Sequence, residues 1–480
     1  MREKKIFSAL DCFAIVGLSF FSLFTRLWMI YHPSTVVFDE VHFGNFSNWY
    51  IRKEFHFDIH PPLGKMIMAM IAKTTQYKGD IEYGNKLGME YEINELFYVS
   101  QRMTPAIFSA MTSPLIFAAC RCLSLSTFSS FCAGFILSTD MSIIVEGKFI
   151  LSDGMLHFFT TLHIFALCLF LNDNLEERAI FAGITLGAAA ACKYTALGLF
   201  VVDGITQIIW IFMKKPSFRN IIIRGSNFLI PSIIVFFGAW ILHFVITPYE
   251  GYNSDYMIHE HQSSLLPKNK VNSSYMGNRL IGSSLYQRIV YWNVIMNRIN
   301  MRSDIPHPFE SKPIYWPFLL DKYVGFYRQD DQEIHCLGTP AVYWLSSISI
   351  ILSFLLFWLI DWRNALLLWG WAVSYFPFVL VPRTMFMYHY IVPLMFAIMN
   401  MIVLCDNCLN QHKETIITLI TLTCFICYAF FYPWIYGIDC PKCADSRLWL
   451  DRWNKGVPLP VYTDGLSLFN TTHIMMDLPK

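Results

Sequence analysis

Long apolar stretches, broken by short polar turns, recur along almost the whole sequence. They fall at roughly 7–30, 96–119, 126–143, 149–171, 179–195, 197–213, 226–247, 340–360, 364–381, 386–404 and 414–437. A helix needs about 20 mostly apolar residues to cross a hydrocarbon core about 30 Å thick. In that medium only helices or closed barrels satisfy every backbone hydrogen bond. The chain therefore reads as an all-α integral membrane protein with about eleven crossings. A short turn at Lys193–Tyr194 is all that divides the fifth from the sixth. Composition agrees: 55% of residues are hydrophobic, 17% aromatic and 15% charged, where soluble domains carry about 25% charged residues. This excludes a soluble globular enzyme, a coiled coil and a disordered chain. With 36 basic and 35 acidic residues, no global positive field exists to hold nucleic acid.

Orientation follows from the basic residues. The first span is too long and too aromatic for a signal peptide, so it reads as a retained anchor. Arg2, Lys4 and Lys5 precede it and place the N-terminus on the cytoplasmic side. The even-numbered exits carry Arg121; Arg178; Lys214, Lys215, Arg219 and Arg224; Trp362–Arg363; and Lys413. These fit the same rule. The first loop breaks a simple count, holding Arg52, Lys53, Lys65, Lys73 and Lys78, but long translocated loops obey the rule weakly. The expected organisation is an N-terminal transmembrane half (1–247) with a large first loop (31–95), a second far-side loop (248–339), C-terminal spans (340–437) and a far-side tail (438–480). Within the first loop, 62–75 is apolar enough to lie along the interface as an amphipathic helix. Sequons at Asn272 and Asn470 fall on the far side, and a third at Asn45 falls inside a motif.

The far side also gathers the chemistry. The first loop begins Phe38-Asp39-Glu40-Val41-His42-Phe43-Gly44 and continues to Phe57-Asp58-Ile59-His60-Pro61-Pro62-Leu63-Gly64-Lys65. Adjacent carboxylates beside a membrane read either as a solvated acidic loop or as a catalytic pair. Apolar surroundings raise a carboxyl pKa toward neutrality, where it accepts a proton from a hydroxyl nucleophile. His60-Pro61-Pro62 reads as a stiff elbow. Arg102, Glu146, Lys148, Asp153, Lys193, Arg383 and His389 sit at far-side span ends. Any one alone reads as a snorkelling end residue or a bundle pair. Together, on one leaflet, the cations suit a lipid phosphate and the carboxylates an acceptor.

These motifs resemble those of the protein O-mannosyltransferases, glycosyltransferases of the GT-C fold. Asp39 to Gly44 is similar to that family's first-loop motif, and Phe57 to Lys65 to its second half. Lys312-Pro313-Ile314-Tyr315-Trp316-Pro317 resembles a Ser-Lys-Pro…Trp-Pro segment. Leu337-Gly338-Thr339-Pro340-Ala341-Val342-Tyr343-Trp344 resembles a Leu-Gly-Asn-Pro…Trp-Trp segment, departing at Thr339 and Tyr343. Arg383 to Tyr390 matches an Arg-x-Met-Phe-x-Tyr-His-Tyr motif. The matches run in order from about residue 25 to 437, and the family's eleven-span topology agrees with the count above. Eukaryotic members carry a lumenal β-trefoil of MIR repeats between spans seven and eight. Here that loop has 92 residues (248–339), and its last third holds family motifs. The chain resembles a minimised member without MIR repeats.

The resemblance implies transfer of mannose from dolichyl phosphate mannose to Ser or Thr hydroxyls of proteins, with inversion, at the lumenal face of the endoplasmic reticulum membrane. Inversion needs one base behind the acceptor, and a phosphate leaving group needs cations rather than an acid. The motif implies Asp39 as base, with Glu40 either orienting it or serving as the base. Arg102 would support the acidic site or the phosphate. Lys193, Arg383 and His389 are candidates for the phosphate or the sugar, with Arg383 preferred for its bidentate donors. Asp153 would contact the sugar or be structural; His60 would position the acceptor loop or be a structural elbow. No cofactor and no metal are expected, since the Asp39-Glu40 spacing is not Asp-x-Asp and the donor has no diphosphate. A homo- or heterodimer is expected on the resemblance alone. The rival readings are another lipid-phosphate-sugar transferase, a transporter, or a non-catalytic subunit.

Three Cys-x-x-Cys pairs occur, at Cys405/Cys408, Cys424/Cys427 and Cys440/Cys443. The topology puts them on the near side, within a span and on the far side, so they cannot share a zinc ion. Cys440 and Cys443 are either a disulfide or a free thiol pair.

Overall fold

The structure, a computed structural model, describes residues 7–83, 87–91, 96–267, 283–302 and 307–453. The basic residues Arg2, Lys4 and Lys5, the sequons at Asn272 and Asn470 and most of the 438–480 tail lie outside them. Helix α1 (Ala9–Leu27) starts at Ser8, whose hydroxyl accepts from the Asp11 amide while the Asp11 carboxylate accepts from the Ser8 amide. This reciprocal cap satisfies two donors that a helix start leaves open. Asp11 also pairs with Arg121 at 2.8 Å, which ties the near-side ends of the first two crossings together. Two helices of the first loop follow, α2 (Glu40–Ile51) and α3 (Leu63–Thr74). Helix α3 covers the stretch 62–75 read as an amphipathic interface helix. Helix α2 is largely enclosed, with Glu40, Val41, Phe43, Gly44, Phe46, Ser47, Asn48 and Tyr50 buried.

Helices α4 (Phe97–Ala110) and α5 (Thr112–Cys122) form one long stretch. The third predicted span is broken instead of continuous. Helix α6 (Thr127–Ser138) ends at Thr139, and α7 (Met141–Lys148) restarts at an angle of 58°. The cause is Asp140. Its carboxylate caps α7 through the Ile143 amide at 3.2 Å and accepts the Thr339 amide at 2.9 Å. The Thr339 hydroxyl donates to the Thr139 carbonyl at 3.0 Å and accepts from the Met141 amide at 2.8 Å. Thr339, a departure from the family motif, thus closes the break. Next come α8 (Asp153–Asp173), α9 (Glu176–Cys192), α10 (Gly198–Lys214) and α11 (Phe218–Ile246).

On the far side lie a single turn, α12 (His259–Gln262), the helix α13 (Leu285–Arg302), and an antiparallel hairpin of β1 (Val324–Gln329) and β2 (Gln332–Cys336) with a bulge between Gly325 and Tyr327. The C-terminal part comprises α14 (Pro340–Leu355), α15 (Trp362–Leu380), α16 (Ile391–Cys408), α17 (Lys413–Tyr436) and the short α18 (Cys443–Arg447). Every predicted span is helical, in the predicted order. Among the described residues, seven stretches are long and apolar enough to cross a membrane, and the bent α6–α7 pair makes eight. Of the remaining three, α9 and α14 have only 17 and 16 residues, and α15 is the third.

Gly183 and Gly187 put α9 directly against α11. A Cβ on either would lie 2.4 Å from a backbone oxygen, of Phe228 and Ser232 respectively. Close backbone approach at paired small residues is how helices pack without a hydrophobic driving force between them. Gly187→Val should cost about 1–3 kcal/mol through overpacking. It would be read as a lowered unfolding temperature in detergent, with Ala188→Ser, on the same helix, as a milder control.

Candidate active site

Phe38 adopts a left-handed backbone conformation, φ 42°, which is costly for a bulky residue. Aromatic rings hold it there. Its ring stacks on Phe326 of β1 at 4.7 Å and meets the edges of Phe386 and Tyr388 at 6.4 and 6.2 Å. That turn sets Asp39 at the head of α2 with Glu40 immediately inside.

The two carboxylates have different surroundings. Glu40 is fully buried beside the equally buried Arg102. Glu40 Oε1 accepts from Arg102 Nε at 2.7 Å and from the Ile150 amide at 3.1 Å. Its Oε2 accepts from Arg102 Nη2 at 2.8 Å, the Val37 amide at 3.1 Å and the Tyr91 hydroxyl at 3.2 Å. The other Arg102 donors reach the carbonyls of Ile30, Pro33 and Thr35. The rings of Tyr91, Tyr98 and Phe149 face the guanidinium at 5.6, 5.1 and 4.8 Å. The Arg102 donors are taken up by Glu40 and the chain at residues 30–35, and Arg102 does not line the cavity described below. Glu40 is likewise enclosed by donors.

Asp39 is only partly buried, and its carboxylate has no hydrogen-bond or ion-pair partner among the described residues. Burial pushes its pKa up to about 7, Lys193 pulls it down, and Asp153 and Asp58 add to the rise. A carboxyl poised near neutrality suits a general base.

The second half of the motif is fixed by a buried Asp58–Lys65 ion pair. Lys65 Nζ also donates to the His60 carbonyl at 2.8 Å, and the Asp58 carboxylate accepts from the Ile59 amide at 2.7 Å. Helix α13 clamps this segment from outside. Trp292 Nε1 donates to the Asp58 carbonyl at 3.3 Å, and Asn300 Nδ2 to the Ile59 carbonyl at 2.8 Å. His60 is kept neutral by burial, with Lys193, Lys65, Arg383 and His389 adding repulsion; its pKa lies well below the usual histidine value.

His60, Lys193, Arg383 and His389 meet at one cavity of about 660 Å³. The cavity continues as an apolar groove between α10 and α15, walled by Val201, Trp369, Val373, Phe376, Pro377 and Leu380. Gly198 permits this pairing, since a Cβ there would lie 2.7 Å from the Val373 oxygen. Several wall side chains are exposed outward, Leu380 by 82%, so the groove opens where the lipid would be. Lys193 Nζ bridges both Asp153 oxygens at 2.8 and 3.1 Å and faces the Tyr388 ring at 5.8 Å. Arg383 binds the Asn300 side chain and donates from Nε to the Thr384 carbonyl at 3.3 Å. His389 stacks on Tyr388 and on Trp316, with centroids 4.6 and 6.0 Å apart. Trp316 is itself fixed by Nε1 donating to the Ser311 hydroxyl at 2.9 Å. The Lys312–Pro317 segment therefore backs the His389 ring.

Sequence reasoning missed Asn300 and His157. No motif marks Asn300. His157 was legible, because it follows Asp153 by four residues and so shares a helix face. The ligand atoms of Glu146, Asp153 and His157 lie within 4.8 Å of one another, all buried, close enough for one cation. Lys193 already supplies the counter-charge to Asp153.

The sequence model described as "Dolichyl-phosphate-mannose-protein mannosyltransferase" matches residues 16–262, and that of the "C-terminal four TMM region of protein-O-mannosyltransferase" matches 285–369 and 360–453. The chain belongs to the protein O-mannosyltransferase family. It is 30% identical over 220 residues to Dolichyl-phosphate-mannose--protein mannosyltransferase 2 of Candida albicans, covering 44% of this chain and 28% of that one. It is 30% identical over 260 residues to mannosyltransferase 3 of Saccharomyces cerevisiae, covering 51% and 34%. The match thus spans about a third of the length of these relatives. The fold matches the solved S. cerevisiae protein O-mannosyltransferase Pmt1-Pmt2 complex bound to the sugar donor, with a TM-score of 0.84 and 17% identity over 94% of this chain and 93% of that one.

Removing one partner of a buried, hydrogen-bonded ion pair costs about 3–5 kcal/mol, because the other charge is left uncompensated. Arg102→Met alone should therefore destabilise the mannosyltransferase fold by that order. The Glu40→Gln/Arg102→Met pair should lose less. Thermal unfolding of the three proteins checks this.

Proposed function

We propose that this chain transfers mannose from dolichyl phosphate mannose to Ser or Thr hydroxyls of proteins, inverting the anomeric centre, at the lumenal face of the endoplasmic reticulum membrane. The observation that carries the proposal is the apolar groove between α10 and α15 that ends beneath Lys193, Arg383, His389 and His60, with Asp39 in the electric field of Lys193. A polyprenyl chain fits the groove and its phosphate fits the cations. The acceptor hydroxyl gives its proton to Asp39 as its oxygen attacks the anomeric carbon, and dolichyl phosphate leaves toward Lys193 and Arg383. Fixed charges aimed at the leaving phosphate stabilise the transition state without reorganising. Asp153 holds the Lys193 ammonium in place, and Glu40 with Arg102 hold the turn that carries Asp39. No step needs a divalent ion, and none is proposed. By likeness to the Pmt1-Pmt2 complex, the chain works as a homo- or heterodimer.

The test is transfer of labelled mannose from dolichyl phosphate mannose to a Ser/Thr-rich peptide by the purified chain. Asp39→Asn should reduce kcat by at least about 100-fold, with an unfolding temperature no lower than the native chain's, since a neutral group in a desolvating site costs less to bury. A normal rate for this variant, or transfer only to a lipid or glycan acceptor, would overturn the reading. With its pKa raised to about 7, Asp39 is protonated in acid and cannot accept a proton. The native rate should therefore fall about tenfold per pH unit below 7 and level off above it. Arg383→Lys should raise KM for the donor more than it lowers kcat, through loss of the planar fork. A chelator should leave the rate unchanged; loss on chelation would point instead to Glu146, Asp153 and His157.

A further inference from the structure

The proposed mechanism leaves the Cys440-Pro441-Lys442-Cys443 turn without a role. The two cysteines form a disulfide, and they sit on the same face as the candidate active site. The Cys440 amide donates to the Asp331 carbonyl at 3.2 Å, at the tip of the β1–β2 hairpin whose Phe326 stacks on Phe38. As a staple the bond has little to do. It closes a loop with two intervening residues, where restricting the unfolded chain gains least. The segment is already anchored by Trp453, which is 1% exposed and donates from Nε1 to the Leu319 carbonyl at 2.7 Å, and by Trp449 packed on Phe431 at 5.0 Å.

The two cysteines differ in exposure. Cys443 is 4% exposed. Cys440 is partly exposed, and the residues between them, Pro441 and Lys442, are exposed. Arg447 Nη1 lies 3.8 Å from Cys440 Sγ. A partly exposed cysteine beside a guanidinium, with its partner cysteine buried, is the arrangement that directs an incoming thiolate to one end of a disulfide.

We infer that this turn captures cysteine-bearing acceptor polypeptides by thiol–disulfide exchange. The inference rests on the lumenal protein-acceptor reading above. An acceptor thiolate attacks Cys440 Sγ, the acceptor–Cys440 bond forms, the Cys440–Cys443 bond breaks, and Cys443 departs as a thiolate that takes up a proton. Release is the reverse: the Cys443 thiolate attacks Cys440 Sγ and expels the acceptor thiolate. The cycle has no net oxidation or reduction, so it needs no further reagent, and the acceptor is held near Asp39 in between.

The experiment uses the full chain in detergent and a Ser/Thr-rich peptide with one cysteine, supplied as its thionitrobenzoate disulfide. Peptide adducts are counted by intact mass after acid quenching. The Cys443→Ser chain should form an adduct on Cys440 at least about tenfold faster than the Cys440→Ser chain forms one on Cys443, and Arg447→Ala should slow the former several-fold. Equal rates, or no adduct on Cys440, overturn the inference. In mannosyl transfer, the Cys440→Ser/Cys443→Ser protein should match the native chain on a cysteine-free peptide and show a KM raised several-fold on the cysteine-bearing one. Equal KM values on both peptides would make the disulfide a staple only. The adduct assay contains no sugar donor, so its outcome is separate from that of the transfer assay.

Discussion

The buried pairing of Glu40 with Arg102 is the interaction on which the rest of the site depends. Two full charges held at 0% exposure are expensive to desolvate, and attraction between them repays that only when the remaining lone pairs and donors are also satisfied. Here they are. The carboxylate takes further bonds from the Val37 and Ile150 amides and from Tyr91, and the guanidinium takes three carbonyls from residues 30–35. The second crossing thereby fixes the exit of the first, and the turn into α2 has one conformation. Asp39 inherits its position from that turn. The neighbouring carboxylates are consequently driven apart in character, one neutralised by a cation and one left in a desolvating site with its proton affinity raised. Divergent environments for adjacent titratable groups are how a site separates a structural carboxylate from a working base.

Lys193 links the acidic half of the site to the cationic half. Its ion pair with Asp153 joins the end of α9 to the start of α8, while its field lowers the proton affinity of Asp39. In the proposed mechanism, a phosphate arriving beside Lys193 would offset that positive charge and raise the basicity of Asp39. The same residue ends a helix and begins the groove wall, which explains why a brief extended residue and a 3-10 turn at Tyr194–Leu197 separate α9 from α10.

Much of this was legible in the sequence. The apolar stretches became helices in order, because apolar length is a direct physical requirement of the bilayer. The Asp39–Gly44, Phe57–Lys65 and Arg383–Tyr390 motifs marked the segments that meet at the site, since each concentrates charge in an otherwise apolar chain. What escaped were features decided between distant segments. Asp140 breaks α6 from α7 because Thr339 is there to bond it, and no local pattern in 126–143 contains that information. Arg102 carries a charge that suits a phosphate equally well on paper, and only the fold shows its donors already engaged. The groove is a property of two helices read as ordinary spans, and Asn300 acquires a role only because α13 lies across Ile59.

The β1–β2 hairpin makes the last connection. Phe38 needs a left-handed backbone to turn the chain into α2, a strain of about 1–3 kcal/mol for a non-glycine residue. Isolated, the first loop would relax out of it. The ring is caught instead between Phe326 of the hairpin and Phe386 and Tyr388 of the Arg383–Tyr390 segment. These contacts come from residues nearly 300 and 350 positions away. The turn that carries Asp39 is therefore held by both the hairpin and the cation-bearing segment, and Tyr388 also faces Lys193. The Asp39 turn and the Lys193–Arg383 cations, the base and phosphate site of the proposed mechanism, are thus joined by a single aromatic cluster, and packing sets the geometry between them.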